Sequence, residues 1–130
     1  MKILLVDDDE ALAYSTAKLI HRIGGHNVYV TDEPAEIFTR CQAKDVDLVI
    51  MDVNLPGASW QGQAVSGADL ARILKNHPLT ADIPIILVTA YAMVKERTTL
   101  LENSQADQFI AKPIVDYAAL LDLISQLCQV

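Results

Sequence analysis

Five residues, each at the end of an apolar run, carry functional groups that make chemical sense together. Asp7 and Asp8 follow Lys2–Val6, and Asp52 closes the run from Val46 to Met51. Thr89 follows Ile83–Val88, and Lys112 follows Gln108–Ala111. Carboxylates gathered at one place raise one another's pKa, so such a group calls for a cation. With only oxygen donors, and no Cys or His at ligand spacing, the fitting ion is hard and divalent, Mg2+ or Mn2+. A carboxylate can also attack phosphorus and form an acyl phosphate. The group in transit then needs cationic and hydroxyl clamps, which Lys112 and Thr89 can supply. Singly, each residue has a plainer use: Asp9, and even Asp8, as a helix cap, Asp52 at a turn, Thr89 as a cap, Lys112 as a solvated charge. The placement of all five together favours the site.

Whether they meet depends on the elements that carry them. Leu12, Thr16, Leu19, Ile20 and Ile23 recur at helical spacing and stop at Gly24-Gly25. Asn27–Val30 reads as a second strand. Pro34 suits a first helical turn ahead of Ile37, Phe38 and Cys41. The third strand, Val46–Met51, leads into a long loop from Val53 to Ser66. Leu70, Ile73 and Leu74 mark a third helix, and Met93, Leu100 and Leu101 a weaker fourth. Tyr117, Leu120, Leu121, Ile124, Leu127 and Cys128 form the cleanest stripe. Five strands alternating with five helices, the strands continuously apolar, predict a doubly wound α/β domain around a parallel sheet. Sites in such sheets form beyond the carboxyl ends of the strands, where all five residues sit. There is no linker or internal repeat, so residues 1–130 read as one domain.

Bulk properties narrow the partners. The chain has 130 residues, is 52% hydrophobic and carries a net charge of −7. That charge argues against direct binding to nucleic acid or to an anionic membrane surface. No apolar run approaches the roughly 18–20 residues that span a bilayer, and no cleavable signal sequence is evident. Cys41 and Cys128 read as small core thiols rather than a disulfide. A cytoplasmic protein is expected. Met1 directly before the first strand mildly favours a natural N-terminus, and both a stand-alone domain and a segment cut from a longer regulator or hybrid kinase remain open.

The combination resembles a response-regulator receiver domain of two-component signalling, over essentially the whole chain. The motifs are Val6-Asp7-Asp8, the segment Leu48 to Gly57 around Asp52, Leu87-Val-Thr89-Ala-Tyr91, and Phe109-Ile-Ala-Lys112-Pro113. The resemblance implies a flavodoxin-like fold with strand order 2-1-3-4-5. It implies that Asp52 accepts a phosphoryl group from a phosphohistidine, and that Asp7, Asp8, Asp52 and the backbone carbonyl of Asn54 ligate Mg2+. Thr89 and Lys112 would contact the phosphoryl group, and Phe109 would be an aromatic switch residue. The readout would lie on the fourth helix, fifth strand and fifth helix, about Tyr91 to Gln129. Implied partners are a histidine kinase or histidine phosphotransfer protein and a downstream protein or output domain; a phosphorylation-dependent homodimer is compatible. No external substrate is expected.

One departure stands out. Pro56 to Gly67 encloses an extension of about seven residues over the family's usual spacing, with Trp60, the only tryptophan, inside it. It reads either as a partner-recognition or phosphate-access loop, since Trp is a favoured interface anchor, or as a packed surface decoration. Two other functions compete with the switch. An aspartyl-phosphate hydrolase would need a second acid two residues after the nucleophile, where Asn54 stands, and a cap for which no length remains. A phosphorylation-independent module would have lost part of the acceptor set, which is complete here.

Overall fold

The structure, a computed structural model, describes residues 1–90 and 94–128. In chain order the elements are β1 (Lys2–Val6), α1 (Glu10–Gly24), β2 (Asn27–Thr31), α2 (Pro34–Gln42), β3 (Leu48–Asp52), β4 (Ser59–Trp60), β5 (Gln63–Ala64), α3 (Gly67–Lys75), β6 (Ile85–Thr89), α4 (Val94–Ser104), β7 (Gln108–Ala111) and α5 (Tyr117–Cys128). The main sheet is parallel, ordered β2-β1-β3-β6-β7. That is the expected 2-1-3-4-5 order, renumbered because a two-stranded hairpin, β4-β5, interrupts the chain after β3.

Side-chain alternation sorts the core into two layers. Leu4, Val6, Val49, Met51, Ile85 and Leu87 face Ile37, Phe38 and Cys41 of α2 and Leu70, Ala71 and Leu74 of α3. Ile3, Leu5, Leu48, Ile50, Ile86 and Val88 face Ala13 and Ile20 of α1 and Leu120 and Ile124 of α5. Strands covered on both faces need no polar side, which is why β1, β3 and β6 read as unbroken apolar runs. The direction of winding reverses between β1 and β3, and a crevice opens at their carboxyl ends.

Helix ends follow local chemistry. Asp9 caps α1, its side chain accepting from the Leu12 N–H at 3.1 Å. Gly25 closes it in the left-handed region (φ 72°), donating to the His21 carbonyl at 2.8 Å. Ser66 and Asp69 form a reciprocal capping box on α3.

Three expectations need correction. The buried stripe of α1 is Ala13, Thr16 and Ile20, whereas Leu12 and Ile23 are 40% and 57% exposed. Thr16 and Ile20 lie on the expected face; Leu12 and Ile23 flank it and satisfy the periodicity equally well, so the pattern alone draws the face too wide. β6 begins at Ile85, not Ile83, because Pro84 has no N–H for the ladder. The stretch from Val53 to Ser66 is not purely loop. Gln61 (φ 53°) and Gly62 (φ 80°) both adopt the left-handed conformation that a tight two-residue hairpin turn requires. Tyr91, Met93 and Gln129, assigned to the fourth helix and the readout surface, lie outside the described residues.

Candidate functional site

The strand ends do bring the five residues together. Asp7 continues β1, its N–H donating to the Thr31 carbonyl at 3.2 Å. Asp52 ends β3 opposite Val88 of β6, one residue before Thr89. The Lys112 N–H donates to the Thr89 carbonyl at 2.9 Å, which fixes the last strand's exit beside β6. The carboxylates of Asp7, Asp8 and Asp52 offer oxygens within 4.8 Å of one another.

Three donors answer part of the cluster's charge. Lys112 Nζ donates to Asp52 Oδ2 at 2.8 Å and sits 3.7 Å from Asp7 Oδ2. The Asn54 N–H donates to Asp52 Oδ1 at 3.1 Å, and the Asp9 N–H to Asp7 Oδ1 at 3.0 Å. One ammonium facing three carboxylates leaves the cluster net negative. Burial pushes the Asp7 carboxyl above its usual pKa; the Asp9 N–H and Lys112 oppose this, and Asp52 and Asp8 reinforce it. Burial alone would lower the Lys112 pKa, but the hydrogen bond and charge of Asp52, with Asp7 and Asp8, raise it overall. The donor set is all oxygen, negative and partly open to solvent at Asp8, so it fits a hard divalent cation.

Beside Asp52 lies a cleft lined by Val53, Asn54, Ser66, Thr89, Ala90 and Lys112. Thr89 is buried at its wall, at 3% exposure. Phe109 is half-buried, pairs with Leu87 in register, and packs on the same core layer; Thr89 follows two residues on, on the same face of the sheet. Trp60 is also half-buried, with its ring centroid 4.3 Å from that of Phe38 on α2. It is packed against the domain, not held out in solvent.

Two contributors lie outside the five residues picked out from the sequence. A Cβ at Gly67 would lie 1.9 Å from the Asp52 carbonyl oxygen, so only glycine lets α3 start this close to β3. The Gly67 N–H donates to the Val53 carbonyl at 2.8 Å, which locks that approach. Ser66, while capping α3, forms part of the cleft wall. A glycine opening a helix is legible in sequence, but the backbone it touches is not.

Residues 3–125 match the family described as the response regulator receiver domain. The chain is 34% identical over 113 residues to the sensory transduction protein RegX3 of Mycobacterium tuberculosis, covering 85% of this chain and 44% of that protein. It is 32% identical over 115 residues to the cyclic di-GMP phosphodiesterase response regulator RpfG of Xanthomonas campestris, covering 88% of this chain and 28% of that one. It thus spans less than half the length of these relatives. Among solved structures, the receiver domain of a signal transduction histidine kinase from Syntrophus aciditrophicus has a TM-score of 0.80 at 25% identity, covering 98% of this chain and 89% of that one. The receiver domain of a Pseudomonas aeruginosa sensor histidine kinase, described with a magnesium ion coordinated in its active site cleft, has a TM-score of 0.78 at 22% identity, covering 99% of this chain and 98% of that one.

Proposed function

This chain belongs to the response regulator receiver domain family of two-component signalling, and on that premise we propose that Asp52 accepts a phosphoryl group from a phosphohistidine donor in a Mg2+-dependent reaction. The observation that carries the proposal is the cluster of Asp7, Asp8 and Asp52 bridged by Lys112. A buried carboxylate with two like-charged neighbours and one ammonium is arranged to bind a cation and then an anion.

In the proposed step an Asp52 carboxylate oxygen forms a bond to phosphorus while the phosphorus–nitrogen bond breaks. The electron pair of that bond leaves with the donor's imidazole. Mg2+, held by Asp7, Asp8, Asp52 and the Asn54 carbonyl, would offset the charge of the carboxylates and of the incoming phosphoryl oxygens. Lys112 turns from Asp52 to a phosphoryl oxygen, and the Thr89 hydroxyl donates to another. The half-buried Phe109 follows Thr89 inward, biasing the surface of α4, β7 and α5 toward a second conformer.

Residues 1–130 act in this reading as one receiver module of a cytoplasmic pathway. The donor is a histidine kinase or phosphotransfer protein, and a downstream protein or an attached output domain reads the state. No external substrate is turned over. No helix among the described residues is long and apolar enough to cross a membrane. The test is incubation with acetyl phosphate, with and without Mg2+, followed by intact mass measurement. One phosphoryl adduct that needs Mg2+ and is lost in Asp52→Asn is expected. An adduct indifferent to both overturns the assignment.

A further inference from the structure

The segment between Pro56 and Gly67 has a fold of its own. Ser59 pairs with Ala64 and Trp60 with Gln63, around the turn at Gln61-Gly62. The Ala58 N–H donates to the Leu55 carbonyl and the Val65 N–H to the Ala58 carbonyl, each at 3.1 Å, which closes the hairpin onto its own stem. A ladder this short is marginal unless one side packs on something larger. Here that side is Trp60 against Phe38, with Ala58 and Val65 on the same core layer.

The consequence falls on Asn54. On its amino side, the Val53 N–H donates to the Val88 carbonyl at 3.0 Å and the Val53 carbonyl accepts from Gly67 at 2.8 Å. On its carboxyl side, Leu55 is buried at 5% exposure and leads directly into the hairpin that Trp60 holds against α2. The backbone of Asn54 is therefore spanned by anchors on two sides. A ligand group held in place before binding loses less conformational freedom when the ion arrives.

We infer that the β4-β5 hairpin is a brace, and that Trp60, through Phe38, is a positioning residue that sets the affinity of the acidic cluster for a divalent cation. This rests on the reading of Asp7, Asp8, Asp52 and Asn54 as the cation site. Trp60 itself touches neither ion nor phosphoryl group. Its effect passes through the loop, from α2 to the backbone beside the acceptor.

Titration calorimetry of the full chain with Mg2+ alone tests the brace. Trp60→Ala is expected to weaken binding about five- to tenfold, equivalent to about 1–1.4 kcal/mol. Trp60→Phe, which keeps a ring against Phe38, is expected to stay within about twofold of the parent. Circular dichroism shows whether each variant is folded. Should Trp60→Ala not fold, Gly62→Val breaks the left-handed turn at the exposed tip without emptying the core, and the same weakening is expected. Parental Mg2+ affinity in folded Trp60→Ala, or in Gly62→Val where that variant replaces it, overturns the brace. A parent chain that binds no Mg2+, or binds it equally well as Asp52→Asn, brings down the reading of the site and the brace with it.

Discussion

At the scale of single residues, the acidic cluster trades stability for the capacity to bind. Asp7 is held above its ordinary pKa, chiefly by burial, so the fold binds that proton more tightly than the unfolded chain does. Stability from this group is present at low pH and lost as pH rises through the folded-state pKa, the reverse of a salt-bridged carboxylate. Asp7→Asn should therefore raise the melting temperature at pH 7 in the absence of divalent cations. The advantage should shrink as the pH is lowered through the raised pKa, which thermal melts across pH 4–7 would reveal. Lys112 plays the opposite part. Replacing it with Ala leaves Asp52 and Asp7 without their ammonium; discounted for its partial exposure, the loss should be about 1–2 kcal/mol by chemical denaturation. Mg2+ should restore much of that loss, because it answers the same charge.

At the scale of elements, the site depends on how closely α3 approaches β3. Gly67→Ala places a methyl group 1.9 Å from the Asp52 carbonyl oxygen, so helix and strand must separate. A loss of about 2–4 kcal/mol in stability is expected, together with a fall in the rate of adduct formation on Asp52; phosphorylation at the parental rate in a folded variant would show that this contact does not position the acceptor. The sheet and helices were legible because their patterns are local: covered strands read as apolar runs, and Gly24-Gly25, Pro34 and Asp9 punctuate the helices. Asp7, Asp52, Thr89 and Lys112 could be placed together because the strand-end rule turns positions 105 residues apart in sequence into neighbours in space. The hairpin was not legible. Its ladder has two residue pairs, its turn uses Gln61 where Asn or Gly is the usual signal, and its stability comes from Phe38, a residue from another element.

At the scale of the whole molecule, a net charge of −7 surrounds a site proposed to accept a further anion. Phosphorylation adds about −1.5 to −2 charges at neutral pH if the acyl phosphate resembles a phosphoester. Cation binding and fold stability are then linked: Mg2+ at about 100 times its dissociation constant should stabilise the chain by about 2.7 kcal/mol, visible as a concentration-dependent melting temperature that Asp52→Asn reduces. The phosphoryl group itself is expected on Asp52. Acyl phosphates are reduced by borohydride to the alcohol, so trapping after treatment with acetyl phosphate and Mg2+, then peptide mapping, reads the acceptor directly. Homoserine at position 52, with Asp7 and Asp8 unmodified, is the expected result. Reduction at Asp7 or Asp8 instead, or a phosphoryl group recovered on His21, His26 or His77, would contradict it.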